Sequence, residues 1–155
     1  MARDRESVRV LAKNRKARYR FHVLDQLECG IELRGTEVKS LRAGHCSIAE
    51  AYGMLRKGGL CLVGATIPEY AHGNIHNHVP GRERRLLLNK RELRRWSKEV
   101  REKGVTCVPL QVYFKGHLVK VEMALVRGKK QHDKRQDQKQ RTARREIERA
   151  MGRRR

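Results

Sequence analysis

Apolar residues nearly disappear from the chain after Val126, which confines any packed core to the residues before that point. From Arg127 to the C-terminus only Ile147, Met151 and a few alanines interrupt a basic and polar run. A segment of this composition cannot bury enough apolar surface to fold by itself. The sequence therefore predicts a flexible basic arm, one folded domain and a basic tail that is disordered when free, over residues 1–13, 14–130 and 131–155.

The segment that can fold is rich in strand and turn signals. Apolar and polar residues alternate from Phe21 to Leu33, with a kink expected at Gly30. Two glycine-containing turns, 57–59 and 115–117, each join two apolar stretches and predict β-hairpins. Five or six short strands in about 110 residues favour a mainly β fold, a small OB-like antiparallel barrel with two or three peripheral helices.

Two helices are expected beside these strands. Residues 35–44 form the first, with Thr36 as its N-cap and Glu37 at the positive end of its dipole. Asn89 and Glu92 have the spacing of a capping box and predict the start of the second, which places Trp96 on its apolar face. Both helices are expected to pack on the periphery of the barrel.

Charge limits the partners of the chain. Lys and Arg total 38 against 17 Asp and Glu, a formal net charge of +21, which favours a polyanionic partner. Nucleic acid is the first interpretation, with a membrane surface or a merely soluble basic protein as alternatives. No apolar stretch reaches the ~20 residues of a membrane span, and the start lacks the apolar core of a signal peptide, so we expect a cytoplasmic protein and no membrane contact.

Signals for catalysis and metal binding are weak. His72, His76 and His78 lack a fourth ligand nearby and are interpreted as exposed loop histidines. The acidic residues stand singly, no phosphate-binding glycine loop is present, and the four scattered cysteines are expected to be small buried residues without disulfides. The sequence predicts a protein that is not an enzyme and has no catalytic residues, no metal site and no cofactor.

Basic side chains beside the predicted barrel are the candidate RNA-binding residues. OB-type barrels bind oligonucleotides on one strand face and its loops. The residues selected on charge and position are Arg15, Lys39, Arg42 and Arg84. The tail carries a weak apolar stripe at Ala143, Ile147 and Met151, which favours a helix that forms when the tail binds RNA.

Five stretches occur in an order that resembles one protein family. They are Asn-Arg-Lys-Ala, Glu-Cys-Gly-Ile, Gly-Thr-Glu-Val-Lys-Ser-Leu-Arg-Ala-Gly, Arg-Leu-Leu-Leu-Asn-Lys and Gly-Lys-Lys-Gln-His-Asp-Lys-Arg, at residues 14–17, 28–31, 35–44, 85–90 and 128–135. They resemble the SsrA-binding protein family, also called small protein B, which partners transfer-messenger RNA. The resemblance implies an OB-like barrel that grips the tRNA-like domain of that RNA. It also implies a tail that enters the empty mRNA channel beside the small-subunit decoding region of a stalled ribosome during trans-translation.

The resemblance also implies roles for individual residues. By matching position, RNA-binding roles fall on Glu28, Leu87 and Lys120, and Asn14 and Arg42 sit in matching motifs. Glu28 is expected to orient a neighbouring arginine or to accept a hydrogen bond from a base amine, because a carboxylate repels phosphate. Ribosome-binding roles fall on Lys129, Lys130, His132, Asp133, Lys134 and Arg135.

The chain departs from the family pattern at Val79, Glu50 and Ala124, where Asp, Asp and Gly are usual. We expect a monomer. The alternative function is that of a general RNA-binding ribosomal or RNA-chaperone protein with no dedicated RNA partner.

Overall fold

Strands dominate the structure, a computed structural model that describes residues 7–102 and 104–152, without the side chains of residues 74 and 131. The described strands are β1 (Val8–Lys13), β2 (Phe21–Ile31), β3 (Tyr52–Arg56), β4 (Gly59–Val63), β5 (Arg84–Leu87), β6 (Val105–Lys115) and β7 (Leu118–Gly128). Their antiparallel order is β1-β6-β3-β4-β5-β2-β7, and β7 also pairs with β6. The pairings therefore close a ring of six strands with β1 outside it, which confirms the prediction of a small, mainly β barrel.

Helices lie around this ring. The described helices are α1 (Ala17–Arg20), α2 (Gly35–Arg42), α3 (Lys90–Arg101) and α4 (Gln131–Gly152), with a 3-10 turn at Asn74–His76. The capping box of α3 is confirmed, since the Asn89 side chain and the Glu92 carboxylate each bond the other residue's backbone N–H. Within the described residues, no helix has the length and apolar character needed to cross a membrane.

Both predicted hairpins are confirmed. Gly58 and Gly116 adopt φ values of 90° and 61°, a left-handed conformation that glycine adopts without steric cost. The turns set the register of β3 against β4, and of β6 against β7. These registers decide which side chains become neighbours across the barrel surface.

Helix α3 covers one end of the barrel. Trp96 is buried in the main core together with residues from β2, β4, β5, β6 and β7, and Leu93 and Val100 pack beside it. Because the strands close a ring, a helix side chain reaches that core only through an open end. Asp25 on β2 accepts hydrogen bonds from Trp96 Nε1 and from Arg95, both at 3.1 Å. These bonds fix the orientation of α3.

The four cysteines are free thiols. Cys29 and Cys107 are fully buried in the main core, whereas Cys46 and Cys61 are half-buried. Burial raises the pKa of the Cys29 thiol to about 12 and that of Cys46 to about 11. These two thiols are therefore protonated at neutral pH.

The predicted N-terminal arm differs from the structure over part of its length. Residues 1–6 lie outside the described residues, but Val8–Lys13 form strand β1, paired with β6 from Val8–Lys115 to Lys13–Gln111. The free edge of β6 provides the hydrogen-bonding partner, and Leu11 and Ala12 pack against the core. The boundary of the folded domain therefore lies before Val8 and not at residue 14.

Thr36 does not have the role predicted for it. Arg34 occupies the N-cap position of α2 without a side-chain cap, and the Thr36 hydroxyl lies 2.9 Å from Nδ1 of His78. The second nitrogen of His78 is 2.8 Å from the Ile67 carbonyl oxygen. Since His78 is 1% exposed, its interpretation as an exposed loop histidine is wrong. It ties the 69–83 loop to α2.

Candidate nucleic-acid interface

Five residues from five adjacent strands stand in one row across the outside of the barrel. Leu87 pairs with Gly30, Gly30 with Lys120, Lys120 with Tyr113, and Tyr113 with Val10. Residues directly opposite each other in antiparallel strands point to the same face of a sheet. The neighbouring Val112 and Val121 pack in the core, so this row faces outward, and we call it the outer sheet face.

Glu28 lies on the same face, two residues before Gly30 on β2. Its carboxylate accepts a hydrogen bond from the Tyr113 hydroxyl and another from Lys115 Nζ at 3.3 Å. The bond from Tyr113 lowers the pKa of Glu28, partial burial opposes this shift, and the charges of Lys115 and Lys120 lower it further. Glu28 is therefore an ionised group that orients Tyr113 and Lys115. This agrees with one of its two predicted roles, except that the cation it orients is Lys115.

Gly30 permits the close approach of Leu87. A Cβ atom at position 30 would lie 3.1 Å from Leu87 Cβ and 3.4 Å from its Cδ1. Leu87 therefore lies across the bare backbone of Gly30 while 52% of its surface stays exposed. An apolar side chain held in this way on a basic face can pack on a nucleotide base.

Lys39 and Arg42 are exposed on α2, at another part of the surface. Arg42 lines a cleft of about 440 Å³ together with Arg9 of β1, Phe114 and the turn between β6 and β7. Lys39 Nζ lies 5.7 Å from the centre of the Tyr70 ring. The cleft brings two arginines from distant parts of the sequence together, which makes it an anion-attracting surface.

Asn14 and Arg15 lie in the loop between β1 and α1. The Asn14 side chain donates to the Pro109 carbonyl at 3.2 Å, and its backbone N–H donates to the Leu110 carbonyl at 2.7 Å. These bonds fasten the loop to β6, so that Asn14 holds the local backbone. Arg15 is exposed beside Arg18 and borders a cleft of about 290 Å³.

Arg84 is not part of the surface, which corrects its prediction as an RNA-binding residue. Its side chain is 0% exposed and donates to Glu37 at 2.6 Å, while Arg82 donates to the other carboxylate oxygen of Glu37. Three carbonyl oxygens, those of Ala65, Pro80 and Arg82, accept its remaining bonds. A guanidinium that is satisfied and buried in this way cannot reach a phosphate.

Burial would raise the pKa of Glu37, but the guanidinium groups of Arg84 and Arg82 hold it below its usual value. Glu37 is therefore an ionised partner in a buried ion pair, and it links α2 to β5. The sequence predicts that Glu37 interacts with the helix dipole, but its carboxylate contacts the guanidinium groups of Arg82 and Arg84.

The base of the tail is fastened to α1. Lys129 Nζ donates to the Arg18 carbonyl at 2.8 Å and forms an ion pair with Asp137, and only 7% of its side chain is exposed. The backbone N–H of Lys129 donates to the Arg20 carbonyl at 3.0 Å. Burial and the charge of Arg141 lower the pKa of Lys129. Lys129 therefore acts as an anchor within the chain, which corrects its prediction as a ribosome-facing residue.

A second set of contacts holds the first turns of α4. His22 Nε2 lies 3.2 Å from an Asp133 oxygen, and the Arg141 guanidinium lies 6.0 Å from the centre of the Tyr19 ring. The hydrogen bond from His22 lowers the pKa of Asp133. Of the other predicted tail residues, Lys130, His132 and Arg135 are exposed, and Lys134 is half-buried.

Beyond residue 141 the described part of α4 is exposed on every side, including Ile147 at 59% and Met151 at 70%. The structure therefore contains a helix in the segment predicted to be disordered when free. Most of α4 packs against nothing within the described residues. Disorder of the tail in the unbound protein therefore stays a prediction.

Sequence reasoning missed three residues of these surfaces. Arg9 lies in the predicted arm, and Tyr113 and His22 lie in stretches for which the sequence predicts strands but no functional role. The alternation Val8, Val10, Ala12 could have indicated β1, and with it the position of Arg9. No signal in the sequence pairs Tyr113 with Glu28 or His22 with Asp133, because each pairing depends on strand register.

The comparisons with known proteins all identify the same protein family. A family model described as SmpB protein matches residues 11–153. The SsrA-binding protein of Salinispora tropica is 53% identical over 146 residues, covering 94% of this chain and 92% of that protein. That of Pelotomaculum thermopropionicum is 48% identical over 145 residues, covering 94% and 95%. A chain in a solved structure of tmRNA-SmpB and the bacterial ribosome is 44% identical, with a TM-score of 0.65, covering 77% of this chain and 85% of that one.

Proposed function

The chain belongs to the SmpB family of SsrA-binding proteins, and from that premise we propose that it binds transfer-messenger RNA and delivers it to stalled ribosomes for trans-translation. The barrel binds the tRNA-like domain of the RNA, and the tail occupies the empty mRNA channel next to the small-subunit decoding region. The protein acts by binding and not by catalysis, as a monomer in the cytoplasm, where both partners are found.

The observation that carries this proposal is the outer sheet face. It presents an exposed apolar side chain, Leu87, and a cation, Lys120, on either side of Gly30. An RNA loop offers unstacked bases and backbone phosphates side by side, and this pairing of apolar and cationic groups suits both. Lys120 contacts phosphate and Leu87 packs on a base or on the ribose beside it.

Glu28 contributes by arranging its neighbours. As a carboxylate on an RNA-binding surface it repels phosphate, but it holds the Tyr113 hydroxyl and Lys115 Nζ in place. The cations around it lower this repulsion. We therefore assign Glu28 a positioning role, and its replacement by glutamine keeps the shape of the face while it releases Lys115.

The tail supplies the contact with the ribosome. Its helix of 22 residues extends about 33 Å, and its far half is free of contacts with the described part of the barrel. A rod of basic residues that projects from a barrel suits a channel lined by ribosomal RNA phosphates. We expect Lys130, His132 and Arg135, which are exposed at its base, to contact the decoding region, while Lys129 and Asp133 set its direction.

Competition binding tests the proposal. Purified protein is incubated with labelled transfer-messenger RNA at near-physiological salt, against unlabelled bulk tRNA and duplex RNA, because non-specific phosphate binding is weakened there. We expect the transfer-messenger RNA to be retained in a clear excess of either competitor. Equal competition by all three RNAs would favour the alternative, a general RNA-binding or RNA-chaperone protein.

A further inference from the structure

Helix α3 carries a basic stripe that the proposed function does not use. At 100° per residue, Arg91, Arg94, Lys98 and Arg101 fall within one arc of about 80° on the helix surface. All four are exposed. Leu93, Trp96 and Val100 occupy the opposite side, where they pack on the barrel core. We call these four residues the α3 stripe.

The stripe is a surface without an internal partner. Within the described residues none of its four cations forms an ion pair or a side-chain hydrogen bond, whereas neighbouring Arg95 bonds to Asp25. The two acids of α3, Glu92 and Glu99, lie on its flank, and Glu92 is engaged in the capping box. Four like charges over about 15 Å of helix repel one another, and an external polyanion relieves that repulsion.

The stripe is separate from the outer sheet face. Trp96 enters the ring of strands through its open end, so α3 faces outward from that end of the barrel. The outer sheet face lies on the outside of the strands, around Gly30 and Lys120. Arg91 lies four residues after Leu87, whereas Arg101 lies about 15 Å farther along the helix, so an RNA elbow that contacts Leu87 and Lys120 leaves the Arg101 end of the stripe available to a second partner.

The position of the stripe relative to the tail indicates which partner that is. The stripe ends at Arg101, four residues before Val105, and Val105 pairs with Arg127 at the end of β7. The tail helix begins at Gln131, shortly after Arg127. The stripe therefore runs toward the base of the tail. A macromolecule that binds the tail also faces this end of the barrel.

We propose that the α3 stripe binds ribosomal RNA backbone and so serves as a second ribosome contact, separate from the tail. This inference rests on the proposed function, since it requires a ribosome-bound state. The chemistry is electrostatic: each arginine or lysine neutralises a phosphate and releases condensed counterions. The stripe would then orient the barrel while the tail occupies its channel.

The test replaces Arg91, Arg94, Lys98 and Arg101 together by glutamine, which is a good helix former and keeps the packing face. Binding to purified 70S ribosomes in the presence of transfer-messenger RNA should fall at least tenfold at near-physiological salt, and the salt slope should become shallower by about one per lost phosphate contact. Binding to isolated transfer-messenger RNA should be unchanged. Circular dichroism and thermal unfolding check that the variant is folded.

A matched variant with Arg91, Arg94 and Arg101 replaced by lysine keeps the charge and should retain most of the ribosome binding. A photo-activated cross-linker at Lys98 should join the chain to ribosomal RNA. Unchanged ribosome binding by the glutamine variant, an equal loss of binding to isolated transfer-messenger RNA, or cross-links only to ribosomal proteins would each overturn the proposal. If the unaltered protein shows no preference for transfer-messenger RNA, the proposed function itself fails, which is a distinct result.

Discussion

The outer sheet face and the tail helix α4 hold their charged side chains in different ways. On the sheet face, strand register brings Glu28 to Tyr113 and Lys115, residues more than 80 positions away in the sequence. On α4, contacts with the barrel end near Arg141, and the remaining charges are fixed by the helix alone. The face is therefore a preformed binding surface, whereas the tail is a segment whose direction is set only at its base.

The largest effect is expected at the buried ion pair between Arg84 and Glu37. Arg84→Met removes the fully buried one of the two guanidinium groups that pair with Glu37, at an expected cost of about 3 kcal/mol in the free energy of unfolding, the lower end of the range for a broken buried ion pair because Arg82 remains. Chemical denaturation measures this change. Arg85→Met, at the exposed neighbouring position, is the matched control and should stay within about 0.5 kcal/mol. If Arg84→Met has the same free energy of unfolding as the unaltered protein yet loses RNA binding, the assignment of Arg84 as a structural residue is wrong.

The contact between Gly30 and Leu87 tests whether the face is preformed. Leu87→Ala should lower affinity for transfer-messenger RNA by several-fold, about 1 kcal/mol, with little effect on stability. Gly30→Ala should also lower the affinity, but by less, because its new Cβ shifts Leu87 by a few tenths of an ångström. The double variant should be no weaker than Leu87→Ala alone. Additive losses would mean that Gly30 acts on RNA binding by some route other than Leu87.

Lys120 gives a smaller and more specific effect. Lys120→Ala should weaken RNA binding and reduce the dependence of log K on log salt by about one charge. Lys57→Ala, in the exposed turn between β3 and β4, should change neither quantity. A salt slope that is the same for Lys120→Ala and the unaltered protein would remove Lys120 from the phosphate contacts.

The weakest expected effect lies at the base of the tail. Asp137→Asn releases Lys129 from its ion pair and should reduce hydrogen-exchange protection in the first turns of α4 by less than about 1 kcal/mol. Glu146→Gln, farther along the exposed helix, serves as the control. Binding to transfer-messenger RNA should be unaffected in both variants. A loss of that binding in Asp137→Asn would show that the tail base belongs to the barrel surface.

The sequence predicted the parts of the fold that depend on local rules. Gly58 and Gly116 mark the hairpins, and Asn89 with Glu92 marks the start of α3, because each signal acts over a few residues. Strand β1 was missed, since its apolar alternation is short and its partner, β6, lies about 100 residues away.

The candidate site was predictable only in part, for the same physical reason. The family resemblance selected Glu28, Leu87 and Lys120, and the structure brings all three to one face. Whether a basic side chain is exposed or buried cannot be predicted from its neighbours in the sequence. Arg84 and Lys129 are basic residues in basic stretches, yet the side chain of Arg84 is buried against Glu37 and that of Lys129 against the distant Arg18 carbonyl and against Asp137.

The most direct test of the division between face and tail is a chain truncated after residue 130, measured in two assays. The account predicts that the truncated protein binds transfer-messenger RNA with an affinity close to that of the full chain, while rescue of stalled ribosomes is abolished. The folded core lies before residue 130, so the truncated barrel is expected to remain intact. A comparable loss of RNA affinity in a folded truncated protein, or rescue at the normal rate without the tail, would contradict this division.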